Sequence, residues 1–118
     1  MKALITGGAG FIGSHLADLL LERGHEVMLL DDLSTGSHRN IEHLVGRSDV
    51  EFVLGSILNA DLLDDCVARS DTVFHLAAAV GVQLIVEKPL ESLATNLRGS
   101  ELVFEKAHKY GTRILITS

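Results

Sequence analysis

Residues 1–16 read Met1-Lys2-Ala3-Leu4-Ile5-Thr6-Gly7-Gly8-Ala9-Gly10-Phe11-Ile12-Gly13-Ser14-His15-Leu16 and pass from a short apolar run through spaced glycines into an apolar helical pattern. Met1 to Thr6 reads as a buried strand, and Ile12, Leu16, Leu19 and Leu20 recur at helical spacing after it. The glycines therefore fall on the turn and on the first helical turn. In such a turn Gly7 permits the sharp reversal, Gly10 lets an anion come close to the backbone, and Gly13 lets the helix pack against its strand. The helix N-terminus adds unpaired N–H groups and the positive end of a dipole, so the stretch is a candidate phosphate cradle.

Three spaced glycines alone are a weak signal, and the residues after them carry the rest of the reading. Arg23-Gly24 is a good C-terminal helix cap, and His25 to Asp32 reads as a second strand that closes on carboxylates. Asp31 lies about 20 residues past the glycines, where a dinucleotide-binding unit places the acid that accepts hydrogen bonds from the adenosine ribose. The alternative reading of Asp31 and Asp32 is the start of a solvated loop.

Further along, Leu33 to Gly46 is rich in Ser, Gly, His and Arg and predicts a loop with a short helix over His38 to Val45, leading away from the adenosine site. Val50 to Leu54 predicts a third strand, followed by Gly55-Ser56-Ile57 and an Asn59-capped helix with Leu62, Leu63, Cys66 and Val67 on one face. Thr72 to Leu76 predicts a fourth strand running into three alanines. Pro89 suits the first turn of a long helix that ends near Tyr110 before Gly111, with Leu90, Leu93, Leu97, Phe104 and Ala107 expected on its buried side and Gly99 allowing close packing. Arg113 to Ser118 predicts a fifth strand. Strands alternating with helices imply right-handed crossovers, hence an α/β, Rossmann-type doubly wound parallel sheet in the order 3-2-1-4-5. Its binding crevice is expected beyond the C-terminal ends of strands one and four, and Gly7 to Gly13, Asp31, Ser56-Ile57 and Leu76 to Ala79 all fall at such strand ends.

Composition narrows the functional classes. The 118 residues are 47% hydrophobic but only 4% aromatic, with no Trp, which suits an aliphatic parallel sheet covered by helices. A net charge of −6 argues against general binding to nucleic acid or to anionic membranes, while a dinucleotide needs only the local field of the turn. Cys66 is the sole cysteine, so an intrachain disulfide is impossible; a buried helix position and a reducing cytoplasm are expected. Met1-Lys2 leads straight into a strand, leaving no room for a signal peptide, and no apolar run has the length of a membrane span. The six histidines are scattered and Asp61, Asp64 and Asp65 read as a solvated helix face, so no metal site is expected.

With these residues in view, the chain resembles the extended short-chain dehydrogenase/reductase family, of the nucleotide-sugar epimerase, dehydratase and decarboxylase type. Thr6 to Leu16 is similar to the family turn TGGxGFIGSHL, a far more specific string than the glycines alone. Asp31-Asp32-Leu33-Ser34-Thr35-Gly36 is similar to the family segment around the adenosine ribose, His75-Leu76-Ala77-Ala78 to the segment beside the nicotinamide, and Asn96 to an Asn of the long helix. The resemblance implies NAD as cofactor, with Phe11 and Ile12 offering amides to the pyrophosphate and Asp31 holding the ribose. Asp32, Leu33, Ser34, Thr35 and Gly36 would edge the adenosine pocket and Ile57 would pack on the adenine. Two positions depart from the pattern: Ser56 stands where the family usually has an Asp reaching the adenine amino group, and Val80 where several epimerases carry a Lys. The carboxylates of Asp31 and Asp32 would repel a 2′-phosphate, so NAD is expected over NADP; Arg39 is the one nearby cation.

The family's chemistry pairs hydride transfer to NAD with a Tyr-x-x-x-Lys pair and a Ser or Thr hydroxyl. The sole tyrosine here is Tyr110, with Ile114 four residues on. The chain is therefore expected to be the N-terminal, NAD-binding part of such an enzyme, spanning 1–118 and inactive alone, with Ser118 adjacent to the family's hydroxyl position. It would act on a nucleotide-sugar in the parent protein and form a homodimer through the helix near 89–110. The alternative is a redox-inactive NAD(P)-sensing or interaction domain. An isolated half-domain would expose apolar surface on the fifth strand and long helix and self-associate.

Overall fold

The computed structural model describes residues 1–34, 36–76 and 89–116. These form β1 (Lys2–Thr6), α1 (Phe11–Glu22), β2 (Glu26–Asp31), β3 (Val50–Leu54), α2 (Ala60–Ala68), β4 (Thr72–His75), α3 (Pro89–Tyr110) and β5 (Arg113–Ile116). All strand pairs are parallel and the sheet order is β3-β2-β1-β4-β5. The first strand is thus the central one, and the chain winds outward from it in both directions, as the strand pattern predicts.

Alternation along the strands separates two cores. Ala3, Ile5, Val27 and Leu29 face α1, where they meet Ala17, Leu20 and Leu21. Leu4, Met28, Leu30 and Val73 face the other way, onto Leu63, Cys66 and Val67 of α2 and Leu102 and Val103 of α3. Each strand of the centre is covered on both faces, which accounts for the continuous apolar runs in its sequence. Cys66 is buried in the second core, and desolvation there raises its thiol pKa.

The helix ends follow local chemistry. Gly24, at φ 82°, closes α1 with the paired bonds of a Schellman motif, its own N–H to the Leu21 carbonyl (3.0 Å) and that of His25 to Leu20 (3.0 Å). Asn59 caps α2 by accepting the Leu62 N–H at 3.2 Å.

Three expectations are corrected. On α1, Ile12 and Leu19 are exposed, and the buried face is Gly13, Ser14, Ala17, Leu20 and Leu21. On α3, Leu90, Leu93, Leu97 and Phe104 are exposed; Gly99, Leu102, Val103 and Ala107 turn inward. On the inward faces the small residues Gly13, Ser14, Ala17, Gly99 and Ala107 share the buried side with Leu20, Leu21, Leu102 and Val103, and the exposed large apolar residues point away. Finally, residues 36–46 do not lead away from the strand ends. His38–Asn40 form a single 3-10 turn, and Ile41 and Leu44 insert fully into the α1 core. The Asn40 Nδ2 donates to the Ala9 carbonyl at 2.7 Å, which holds the segment against the glycine turn.

Candidate functional site

Strand register sets the carboxyl edge of the sheet. Thr6 is paired with both Leu30 and His75, so β1 and β4 end level, and β2 runs one residue further, to Asp31, which is paired with Leu54. The glycine turn rises from this edge. Gly7, at φ 72°, adopts the left-handed conformation and donates to the Leu30 carbonyl at 2.8 Å, strapping the turn to β2. A Cβ on Gly8 would meet Leu29 at 2.8 Å, so Gly8 also belongs to the close approach. A Cβ on Gly13 would fall on the Gly7 carbonyl oxygen and within 3.0 Å of Gly8 Cα. What Gly13 makes possible is contact of α1 with the turn itself, and not with the body of the strand as expected.

Helix α1 begins at Phe11 with Gly10 as N-cap, no side-chain cap and no acidic residue in its first turn. Ser14 N–H makes the first intrahelical bond, to Gly10 O at 2.9 Å, so the amides of Phe11, Ile12 and Gly13 precede any helical acceptor. Phe11 and Ile12 are 73% and 67% exposed. In contrast, α2 has both the Asn59 cap and Asp61 in its first turn. Only α1, of these two, presents amides and dipole to an anion from outside, and a pyrophosphate fits that arrangement.

Asp31 is buried at the end of β2. Its Oδ2 accepts the Ala9 N–H at 2.9 Å and its Oδ1 accepts the Leu33 N–H at 2.7 Å. Each carboxylate oxygen has a second lone pair, so these bonds orient the group without exhausting it. Leu33 sits at φ 63°, an uncommon conformation for a branched aliphatic residue, and packs its side chain on the α1 core. Asp32 is exposed and accepts the Ser34 N–H at 2.9 Å; Gly36 lies where a Cβ would come within 2.9 Å of Ala9 O and Asp31 Oδ2. Ser37 N–H donates to Ala9 O at 3.0 Å, joining Asn40 there. Sequence reading missed Ser37 and Asn40, whose shared acceptor is a backbone carbonyl.

The end of β3 stands beside Asp31, whose backbone carbonyl accepts the Gly55 N–H at 3.1 Å. Ser56 is half-buried and its Oγ accepts the Leu58 N–H at 3.0 Å. Ile57 is half-buried and extends its side chain over Gly99 of α3, where any Cβ would collide with it. Gly99 thus makes room for a side chain and not for backbone.

On the opposite side of β1, Leu76 N–H donates to Thr6 O at 3.1 Å and to Thr6 Oγ1 at 3.0 Å. The buried His75 ring joins Thr6 Oγ1 (2.7 Å from Nδ1) to Ser100 Oγ of α3 (3.2 Å from Nε2). A neutral ring protonated on Nε2 satisfies these contacts, and burial lowers the His75 pKa in the same sense. Asn96 is half-buried one helical turn before Ser100. Thr35, Ala77, Ala78, Val80 and Ser118 lie outside the described residues.

The only tyrosine is remote from this edge. Tyr110 donates its hydroxyl to the Asp64 carboxylate, which also binds Lys109 at 2.8 Å and Lys106 at 3.2 Å. Asp64 therefore ties α2 to α3 and is not merely part of a solvated acidic face. Among the described residues no three His, Cys, Asp or Glu gather as metal ligands, and no helix is long and apolar enough to cross a membrane.

Comparison with known proteins agrees with the geometry. Residues 3–118 match the model of the NAD dependent epimerase/dehydratase family. A UDP-N-acetyl-alpha-D-glucosaminuronate decarboxylase of Bacillus cytotoxicus is 39% identical over 117 residues, 99% of this chain and 36% of that protein. The structure of a UDP-glucose 4-epimerase from Thermotoga maritima with UDP-glucose is similar at a TM-score of 0.88 and 37% identity, covering 100% of this chain and 38% of that one. A dTDP-glucose 4,6-dehydratase from Streptomyces venezuelae, solved with NAD bound, has a TM-score of 0.88 and 32% identity over 97% of this chain and 38% of its own. The chain spans little more than a third of the length of each. With its five-stranded Rossmann sheet and glycine turn, it belongs to the NAD-dependent epimerase/dehydratase family.

Proposed function

We propose that this chain is the NAD-binding part of a nucleotide-sugar epimerase, dehydratase or decarboxylase that works by transient hydride transfer to tightly held NAD. The observation that carries the reading is the uncapped α1 N-terminus one strand away from the oriented Asp31 carboxylate. The amides of Phe11 and Ile12 hold the pyrophosphate, with Gly7, Gly10 and Gly13 shaping the turn. Asp31 accepts the ribose hydroxyls, and Asp32 to Gly36, Ser56 and Ile57 border the adenosine. Leu76 and Asn96 border the nicotinamide half, to which the resemblance also assigns Ala77, Ala78 and Val80. Bound NAD supplies the hydride acceptor; these residues bind and orient it.

Charge selects the cofactor. A 2′-phosphate beside Asp31 and Asp32 meets like charge, so NAD binds more tightly than NADP. Calorimetric titration of the protein with both dinucleotides tests this, and tighter binding of NADP would overturn it. The 118 residues alone are expected to turn over no sugar nucleotide, since Tyr110 is committed to Asp64 and lacks a lysine four residues on.

The exposed stripe of α3 favours a homodimer. Leu90, Leu97 and Phe104 follow at intervals of seven residues with Leu93 between them, the spacing of a helix seam. Burying these side chains against a second copy removes apolar surface from water that the fold leaves exposed.

A further inference from the structure

On the reading of the carboxyl edge as a dinucleotide site, the parts of the cofactor follow the strand order. The pyrophosphate sits at the β1–α1 turn and the ribose at Asp31 on β2. The next strand outward is β3, so the base, the next group beyond the ribose, reaches Gly55, Ser56 and Ile57. The Gly55 N–H bond to Asp31 O (3.1 Å) fixes this end of β3 beside the ribose position.

The polar side chain offered there is a hydroxyl. Ser56 Oγ uses one lone pair for the Leu58 N–H at 3.0 Å, an interaction that leaves the proton able to rotate and a second lone pair to accept. A carboxylate at the same place would only accept, and so would favour an amino group and oppose a carbonyl. We infer that Ser56 makes the base position of this site tolerant: it accepts from the 6-amino group of adenine and donates with equal ease to the 6-carbonyl of hypoxanthine. Ser56 is then a specificity-determining residue, and the ligand class widens from adenine dinucleotides to 6-oxopurine dinucleotides.

The experiment is calorimetric titration of the protein with NAD and with nicotinamide hypoxanthine dinucleotide, for the parent protein and for Ser56→Asp and Ser56→Ala. An Asp at this position can still accept the Leu58 N–H, so the local turn is retained. The parent is expected to bind the two dinucleotides within about threefold of one another, since the Ser56 hydroxyl can pair with either substituent at position 6. Ser56→Asp is expected to disfavour the hypoxanthine form by about tenfold or more relative to NAD, because its carbonyl then faces an acceptor. Ser56→Ala weakens both while keeping their ratio. Tenfold or greater discrimination by the parent, or an unchanged ratio in Ser56→Asp, overturns the inference while leaving the dinucleotide site standing. Failure of NAD itself to bind the parent removes both together, and the parent's ratio decides the matter even if a variant does not fold.

Discussion

Asp31 Oδ2 and the Ala9 amide are joined by a 2.9 Å hydrogen bond, so one side chain at the end of β2 holds the glycine turn in place before any ligand arrives. The same carboxylate receives Leu33 N–H, which stabilises a residue in the left-handed region. Asp31→Ala leaves two amides without their acceptor and is expected to lower stability by about 2–3 kcal/mol, read from urea denaturation midpoints. In the same variant the preference for NAD over NADP shrinks, because one of the two opposing charges is gone. Unchanged stability would mean that the turn holds itself.

Two glycines separate binding from folding. At Gly13 a Cβ lands on the backbone of Gly7 and Gly8, which cannot rotate aside, and Gly13→Ala is expected to cost about 1–3 kcal/mol and to weaken NAD binding. At Gly24 a Cβ meets nothing within 4 Å, but φ is 82°. Gly24→Ala should cost about 1–2 kcal/mol through backbone strain and leave NAD affinity as it was. Denaturation and calorimetry on the pair distinguish the two effects.

Hydrogen bonds from Lys109, Tyr110 and Lys106 hold the Asp64 carboxyl well below the usual carboxylate range. A depressed native pKa stabilises the fold above the unfolded value of about 3.9 and loses that contribution as the pH falls toward the native one. The parent should therefore lose thermal stability between pH 5 and pH 2.5, and Asp64→Asn, weaker at pH 7, should lose less over the same interval. Parallel curves for the two proteins would show that the tie between α2 and α3 carries no pH dependence.

His75 works in a higher window. Burial lowers its native pKa, whereas the unfolded ring takes up a proton near pH 6.5, so its contribution is present above about that pH and is lost as the pH falls. His75→Gln is expected to be less stable than the parent at pH 7.5 and to narrow that gap at pH 5.5. A gap that stays constant across the two pH values refutes the assignment of a neutral buried ring.

For α3, Leu97→Glu replaces a side chain that is 62% exposed. It should change the stability of the dissociated monomer by less than about 0.5 kcal/mol, as surface substitutions do, and shift sedimentation from dimer to monomer. If the parent sediments as a monomer, the stripe is not a seam between copies.

Strand identities, sheet order and most helix ends were legible in the sequence because each carries its own signal: apolar runs for the strands, Asn59 for the start of α2, Gly24 for the end of α1. Helix facing was not. A count of Leu and Ile selects Leu90, Leu93 and Leu97, whereas the buried side is Gly99, Leu102, Val103 and Ala107, because the inward face is set by what the sheet and α2 pack against and not by hydrophobicity alone. Of the candidate site, the turn at Gly7 and the place of the Asp31 carboxylate at the end of β2 were legible, because their spacing is set by one βαβ unit. Ser37 and Asn40 were hidden because their partner is the carbonyl of Ala9, and a backbone acceptor leaves no residue type to read.

The central place of β1 has a consequence for synthesis. Within this sequence β1 precedes both of its neighbours: it is completed on one side by β2, about twenty residues later, and on the other by β4, whose Thr72 pairs with Ala3. Until residues 72–75 have emerged from the ribosome, the β4-side edge of β1 stays open, a ready template for another nascent chain. The sheet thus assembles from the inside outward and by non-local steps, a topology that slows folding and lengthens the time that this edge must be shielded.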